Sequence, residues 1–481
     1  MQLKAKWFFL GLAAIALARL FSMVVMPLID TSEPRYAEIA RLMASSGDWI
    51  TPWFEPDVPF WGKPPLSFWS QALGIRIFGE SEVAVRIPSF FTMAGLAAIL
   101  YHATDILVGR ASARWATLVL SSMLLPLAAA GAVLTDSFFA LGVTYAMLAF
   151  IVAPTRPTLF WRYGFFVGLA IGLLSKGPLT LVLMGISIGP WLVIRRERLL
   201  YLTALPWFKG TLVTLALAGP WYVFAEIKTP GFLQYFLMGE HVLRFIDAGW
   251  KGDLYGTAHE RPLGSIWGDW LLASFPWGWV GVLLTGWVIV RRSRRERALQ
   301  VWRLPLVSYL AMWTLAAPVF FTFSGNILWT YVLPSLPAFA LLFSIFSKEF
   351  VVFGRASRLS RALIGAGALV PAAAIIIGIT SLSAPRKFKT EKQLVAAATT
   401  QMDEGQTLYF LHSRPFSARF YSGGRAELIE IDRLEQLISE KGENVLVAVP
   451  QGKESLLSGN VRSRLTSIYK SRRYTLYKVR S

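Results

Sequence analysis

A few ionisable residues of this chain stand where they could do chemistry, each set among apolar neighbours. Asp30 and Glu33 lie three apart in Asp30-Thr31-Ser32-Glu33-Pro34-Arg35-Tyr36. A carboxylate there could deprotonate a hydroxyl, although acidic residues also favour a helix N-terminus on electrostatic grounds alone. Lys63 follows in Phe60-Trp61-Gly62-Lys63-Pro64-Pro65. A compact ammonium with three donors suits a phosphate. A Lys on an interfacial segment can equally reach out to lipid headgroups. Arg244 closes Glu240-His241-Val242-Leu243-Arg244. Its planar fork fits a phosphate in bidentate fashion, and the same snorkelling alternative applies. His241, three residues earlier, shares a face with Arg244 if the segment is helical. His259 lies in the same loop, so two of the four His fall together. That raises a divalent metal, but no spacing pairs them on one element, and none is expected as a fixed cofactor. Asp136 and Lys176 end apolar runs, as functional groups or as markers of a membrane surface. Tyr331, ahead of Pro334 and Pro337, suggests a kinked cavity wall.

The elements that must position these residues are membrane spans. Of 481 residues 54% are hydrophobic and only 16% charged, and mean hydropathy is +0.49; a soluble domain carries about 25% charged residues. Apolar runs long enough to cross a bilayer recur from the start to near 382. About eleven spans are predicted, near 7–28, 87–107, 115–133, 137–153, 158–175, 178–194, 205–224, 266–290, 301–323, 328–347 and 362–382. The formal charge of +19 argues for orientation rather than nucleic acid, because Lys and Arg cluster between spans. Clusters at Lys4/Lys6, Arg110/Arg114, Arg156/Arg162, Arg195–Arg198, Arg291–Arg297 and Arg355/Arg358/Arg361 fall on alternate loops. That side should be cytoplasmic, with the N-terminus, and the C-terminal segment should be periplasmic. The first apolar run continues past Arg19 like a retained anchor rather than a cleaved leader. Arg19 itself should pair within the protein. With no Cys, disulfides and thiolate metal sites are excluded.

The expected domains are a membrane part, 1–382, with outer loops 29–86 and 225–265, and a small soluble α/β domain, 383–481. In the first loop Thr31 or Ser32 can cap a helix with Pro34 in its first turn. Tyr36, Ile39, Ala40 and Met43 then share one face, and such a helix should lie in the interface plane. Leu66–Phe78 is a second amphipathic stretch. In the tail, Thr407–Leu411, Val445–Val449 and Tyr474–Val479 read as strands and Asp432–Ser439 as helix. The tail carries 17 basic against 10 acidic residues, a surface suited to anionic lipid headgroups.

Taken in order, these motifs resemble the type C membrane glycosyltransferases related to protein O-mannosyltransferases, and among them the bacterial lipid A aminoarabinose transferases. The resemblance rests on Glu33-Pro34-Arg35-Tyr36-Ala37-Glu38, Ser46-Gly47-Asp48-Trp49, Gly62-Lys63-Pro64-Pro65, Thr135-Asp136, Lys176-Gly177-Pro178, Glu240-His241 with Arg244-Phe245, Phe275-Pro276-Trp277, and Tyr331 with Pro334 and Pro337. It covers about 380 residues and implies a polytopic helical fold of about 11–13 transmembrane helices in the bacterial inner membrane. It implies an inverting transferase that moves a sugar from undecaprenyl phosphate to lipid A or another lipopolysaccharide acceptor, with the chain acting as a monomer. A protein Ser/Thr or another envelope glycan is the alternative acceptor, and a lipid or solute transporter the alternative class. By the same resemblance Lys63 and Arg244 would contact the donor phosphate and Asp30 or Glu33 would be the base. Arg35, Tyr36, Asp136, Lys176, His241, His259 and Tyr331 would line the cavity. Three positions depart from the family pattern. Ser32 stands where an Asp is common, which leaves Asp30 first choice as base. Gly62 stands where a metal-binding Glu is frequent. Asn326-Ile327-Leu328 lacks a frequent Lys.

Overall fold

A computed structural model describes residues 4–247, 249–256, 259–350, 358–403, 406–441 and 445–479. Arg355, part of the last basic cluster, lies outside the described residues. The chain enters through α1, Ala5–Val25, and leaves the apolar part through the helix Arg358–Ser383, which packs along it. Between them lie α2, Ser32–Ser46; a hairpin of β1, Trp53–Glu55, and β2, Val58–Pro59; α3, Leu66–Phe78; α4, Glu82–Leu107; and a bundle that continues to Phe350.

Among the described residues five helices are long and apolar enough to cross a bilayer, and counting each of two bent pairs as one span gives seven. Several predicted straight spans are therefore interrupted or short. The stretch 115–133 breaks at Ser122-Met123 into Arg110–Ser121 and Leu124–Ala129. The stretch 266–290 turns by 102° between Ser265–Ala273 and Trp277–Ile289, where Pro276 has no N–H to continue the ladder. The stretch 301–323 begins at Pro305, after a bend of 88° from the amphipathic helix Arg292–Trp302. The helix Asp136–Val152 is shorter than a full span and buried over nearly its whole length. Its close contact with Leu159–Lys176 depends on facing glycines: a Cβ at Gly142 would come 2.6 Å from the Gly172 nitrogen. Small residues let backbones approach where lipid supplies no hydrophobic drive.

The outer loop 29–86 is a folded layer. Arg86, on α4, donates to the Met23, Met26 and Pro27 carbonyls at the end of α1, groups a helix terminus leaves without partners. The same guanidinium grips Glu33 at 2.8 Å and fixes the start of α2. Thr31 stands at the cap position but makes no capping bond. The predicted stripe of Tyr36, Ile39, Ala40 and Met43 is buried, and so are Glu38 and Arg41. The tail covers the polar side of α2, and Glu38 and Arg41 pair there at 2.8 Å. Arg19 donates to Ser22 and the Ala128 carbonyl, an internal pairing.

After Ser383 the chain forms a five-stranded mixed sheet in the order β4-β3-β5-β7-β6, with β3 Leu408–Leu411, β4 Ala426–Ile429, β5 Leu446–Pro450, β6 Leu465–Lys470 and β7 Tyr474–Val479. β3 runs parallel to β4 and β5; β7 runs antiparallel to β5 and β6. Alternate residues feed two cores, Leu408 and Phe410 on one face and Leu411 with Val447 and Val449 on the other, the period-2 pattern of a sheet covered on both sides. The strands β4 and β6 are not legible from sequence: β4 is only four residues long, and half of β6 is polar or charged.

Candidate active site

The loop residues 225–265 build the centre of the site. Tyr235–Leu243 is a π-helix, a rare and strained winding that often marks function. Glu240 and Arg244, four residues apart and so on one face, bond at 2.9 Å. Lys63 arrives from the first outer loop and bonds the other Glu240 oxygen at 2.9 Å. Arg244 also meets Asp253 at 3.4 Å. Two cations from loops nearly two hundred residues apart thus converge on one buried carboxylate. Burial pushes Glu240 up, but the charges of Lys63 and Arg244 outweigh it and hold its pKa below the usual carboxylate value. Burial likewise pulls Lys63 down, and Glu240, with help from Tyr36 and Tyr331, raises it above its ordinary value instead. Tyr36 and Tyr331 are therefore within electrostatic reach of Lys63.

Tyr255 holds this junction together. Its hydroxyl donates to the Pro59 carbonyl at 2.7 Å and accepts from the Trp61 N–H at 2.9 Å, which sets the backbone just before Lys63. Its carbonyl accepts from Arg35 at 2.9 Å. His259 sits nearby, with its N–H on Asn326. Burial lowers its pKa, and Arg244 and Arg35 lower it further.

A second cluster adjoins the first. Lys176 and Asp136 form a buried pair at 2.6 Å, and the Lys176 ammonium lies 4.5 Å from the centre of the Tyr331 ring. The helix that carries Lys176 stops there because Gly177 turns left-handed, φ 62°, a conformation an L side chain resists. His241 does not share a face with Arg244. One ring nitrogen meets the Phe236 carbonyl at 2.7 Å and the other the Lys176 carbonyl at 2.9 Å. Burial lowers its pKa.

The two candidate bases are both committed to ion pairs. Asp30 accepts from the Ser417 N–H at 2.8 Å, the Ser417 hydroxyl at 2.6 Å and Arg473 at 2.5 Å. Its side chain is 1% exposed. Glu33 takes the Arg86 fork and the Val133 N–H, and retains 17% exposure. Burial pushes Glu33 up, but Arg86 outweighs it and keeps the pKa low. Sequence reasoning passed over Glu240, Asp253, Tyr255 and Arg86. Glu240 was visible beside His241, but nothing in spacing says that a residue from position 63 will meet it.

The metal possibility does not fit these residues. Gly62 offers no carboxylate, and a Cβ there would come 3.0 Å from the Phe60 ring. Both His241 nitrogens face carbonyls. Among the described residues no three of His, Asp or Glu gather as a metal site would require. Two apolar cavities, of about 450 and 790 Å³, lie among the spans around α1, away from the charged cluster.

With this geometry in place, comparison with known proteins is informative. Residues 5–236 match the family described as dolichyl-phosphate-mannose-protein mannosyltransferase. A crystal structure of ArnT from Cupriavidus metallidurans bound to undecaprenyl phosphate superposes with a TM-score of 0.75 at 16% identity, over 98% of both chains. Residues 5–236 thus resemble the protein mannosyltransferases, and the whole chain has the type C glycosyltransferase fold. Two curated undecaprenyl phosphate-alpha-4-amino-4-deoxy-L-arabinose arabinosyl transferases also match. The one from Shewanella sediminis is 31% identical over 321 residues, 64% of this chain and 54% of its own length. One from Yersinia pestis is 29% identical over 326 residues, 66% of this chain and 55% of its own. The chain thus spans about half the length of the curated relatives it matches. It is a multi-pass membrane protein with the fold of that ArnT structure.

Proposed function

We propose that the protein is an inverting glycosyltransferase that moves a sugar from an undecaprenyl-phosphate donor to lipid A or another lipopolysaccharide acceptor. The observation that carries this reading is the convergence of Lys63 and Arg244 on one buried anionic position. A leaving phosphate gains charge as the sugar departs, and preorganised cations favour that change most in a site shielded from water. The likeness to transferases that use this carrier supports the donor. The alternation of basic clusters supports a periplasmic site, a cytoplasmic N-terminus and a periplasmic tail in a bacterial inner membrane. Arg35, bonded to the Tyr255 carbonyl, and His259 line the cavity in this reading, and Lys176, paired with Asp136, packs against the Tyr331 ring.

For the base, the geometry favours Glu33 over Asp30. Asp30 is enclosed by the tail, whereas Glu33 keeps an exposed edge. A second acceptor class, protein Ser/Thr, is favoured by the family matched over residues 5–236. Mass spectrometry of lipid A, envelope proteins and polyprenyl-linked sugars from cells carrying wild type, Lys63→Ala or Glu33→Gln tests both. A sugar on lipid A in wild type alone supports the first acceptor. Unchanged lipid A with donor accumulation moves the acceptor to protein or another glycan. If no pool responds to Lys63→Ala, the transferase reading falls and a transporter becomes the better account.

A further inference from the structure

We propose that Glu240 is a charge-balancing residue: it keeps the phosphate site from holding the more highly charged monoester left after transfer more tightly than the phosphodiester donor. The inference rests on reading Lys63 and Arg244 as phosphate contacts. Each cation holds a different oxygen of Glu240, both at 2.9 Å, and the second Arg244 nitrogen meets Asp253 at 3.4 Å. The carboxylate side chains are 4% and 8% exposed. Two cations therefore face two carboxylates, and the cluster is neutral before any ligand enters.

Transfer changes the ligand's charge. The bond between the anomeric carbon and the phosphate oxygen breaks, and its electron pair stays on that oxygen. The acceptor oxygen bonds to the carbon, and its proton passes to the base, Glu33 in the reading above. The phosphate passes from a diester with one negative charge to a monoester whose second ionisation lies near pH 6. At neutral pH the product is largely a dianion. A neutral cluster attracts monoanion and dianion alike only weakly, because each added charge feels the two carboxylates as well as the two cations. Without the Glu240 charge the cluster carries +1, and every added ligand charge is rewarded. The Glu240 charge persists across this range, because Lys63 and Arg244 hold its pKa low. An internal anion already seated on both cations also gives the departing phosphate a competitor.

The test uses the full chain in lipid nanodiscs, with undecaprenyl phosphate as the monoester probe and its methyl ester as a diester of the same chain. Wild type should bind the two with similar affinity. Glu240→Gln should favour the monoester over the methyl ester by about tenfold or more near pH 8, and the preference should shrink near pH 5, where the monoester loses its second charge. Asp253→Asn should shift the ratio in the same direction and serves if Glu240→Gln does not fold. Glu240→Asp, which keeps the charge, should retain the wild-type ratio. An unchanged or reversed ratio in Glu240→Gln and Asp253→Asn overturns the proposal, as does a Gln-like shift in Glu240→Asp. Should Lys63→Ala and Arg244→Ala bind both probes as wild type does, the phosphate reading itself has failed. If they bind neither while the Glu240→Gln ratio stays unchanged, only the present inference has.

Discussion

Lys63 and Arg244 were readable as residues from type and setting: a Lys among aromatics and prolines, and an Arg in an aromatic loop. Their common partner was not, because contact between residues 63 and 240 depends on how two loops fold over each other. If they bind the leaving phosphate, Lys63→Ala and Arg244→Ala should each lower kcat by about 10²–10³-fold, the usual loss of one preorganised donor. Steady-state kinetics on purified protein checks this, and a change in KM alone would argue against it. Glu33 makes a separate prediction. Its folded pKa lies below the unfolded value of about 4.3. A depressed carboxylate stabilises the fold above the unfolded pKa and loses that contribution as pH falls through the folded one. Wild type should therefore unfold at a higher temperature than Glu33→Gln near neutrality, by about 3 kcal/mol of stability, since Arg86 is otherwise left buried without a counter-charge. The gap should close only below about pH 4. Thermal unfolding of both proteins across acid pH is the measurement, and a gap that persists unchanged in strong acid would contradict the ion-pair account.

At the scale of elements, apolar runs announced the spans, and the pattern of α2 announced a helix with a buried stripe. Breaks inside spans were harder, since Pro276 and Ser122-Met123 look much like prolines and serines that helices tolerate. The polar side of α2 needs polar surroundings, and the tail helix Phe416–Tyr421 packs on it, a cover that amphipathicity alone does not distinguish from water. The π-helix had no sequence mark at all. Its junction with the first loop is Tyr255, whose hydroxyl serves both Pro59 and Trp61. Tyr255→Phe should leave the Trp61 N–H unpaired and cost about 1–3 kcal/mol. It should also loosen the backbone before Lys63, so donor KM should rise while the protein still folds. Hydrogen exchange at Trp61 with parallel kinetics would show both effects, and protection at Trp61 equal to wild type would discount the Tyr255 bridge.

For the molecule as a whole, the sequence marks the tail as a polar annex with net positive charge, facing lipid. The structure spends several of those charges inward. Arg473 goes to Asp30, Arg414 and Arg419 to Glu55, and Lys392 with Tyr421 to Glu82. The Leu28 N–H also bonds the Tyr421 hydroxyl at 2.7 Å. Every one of these tail contacts lands on or beside the layer that presents Arg35, Tyr36 and Lys63, so their loss should loosen the first outer loop. Breaking one buried pair by removing a partner costs about 3–5 kcal/mol. Arg473→Ala should therefore expose Asp30, speed proteolysis within residues 29–86 and lower activity without touching the phosphate cluster. A chain ended after Ser383 should do all three more severely, because Asp30, Glu55 and Glu82 then lose their partners together. Limited proteolysis and turnover, measured on the same preparations, separate this bracing role from lipid contact. If the truncated chain keeps both loop protection and turnover but binds anionic vesicles less well, the inward contacts are incidental and the tail works at the membrane surface. If loop protection and turnover fall together while vesicle binding stays constant, the tail's function is mechanical, and Asp30 matters through Arg473 rather than through proton transfer.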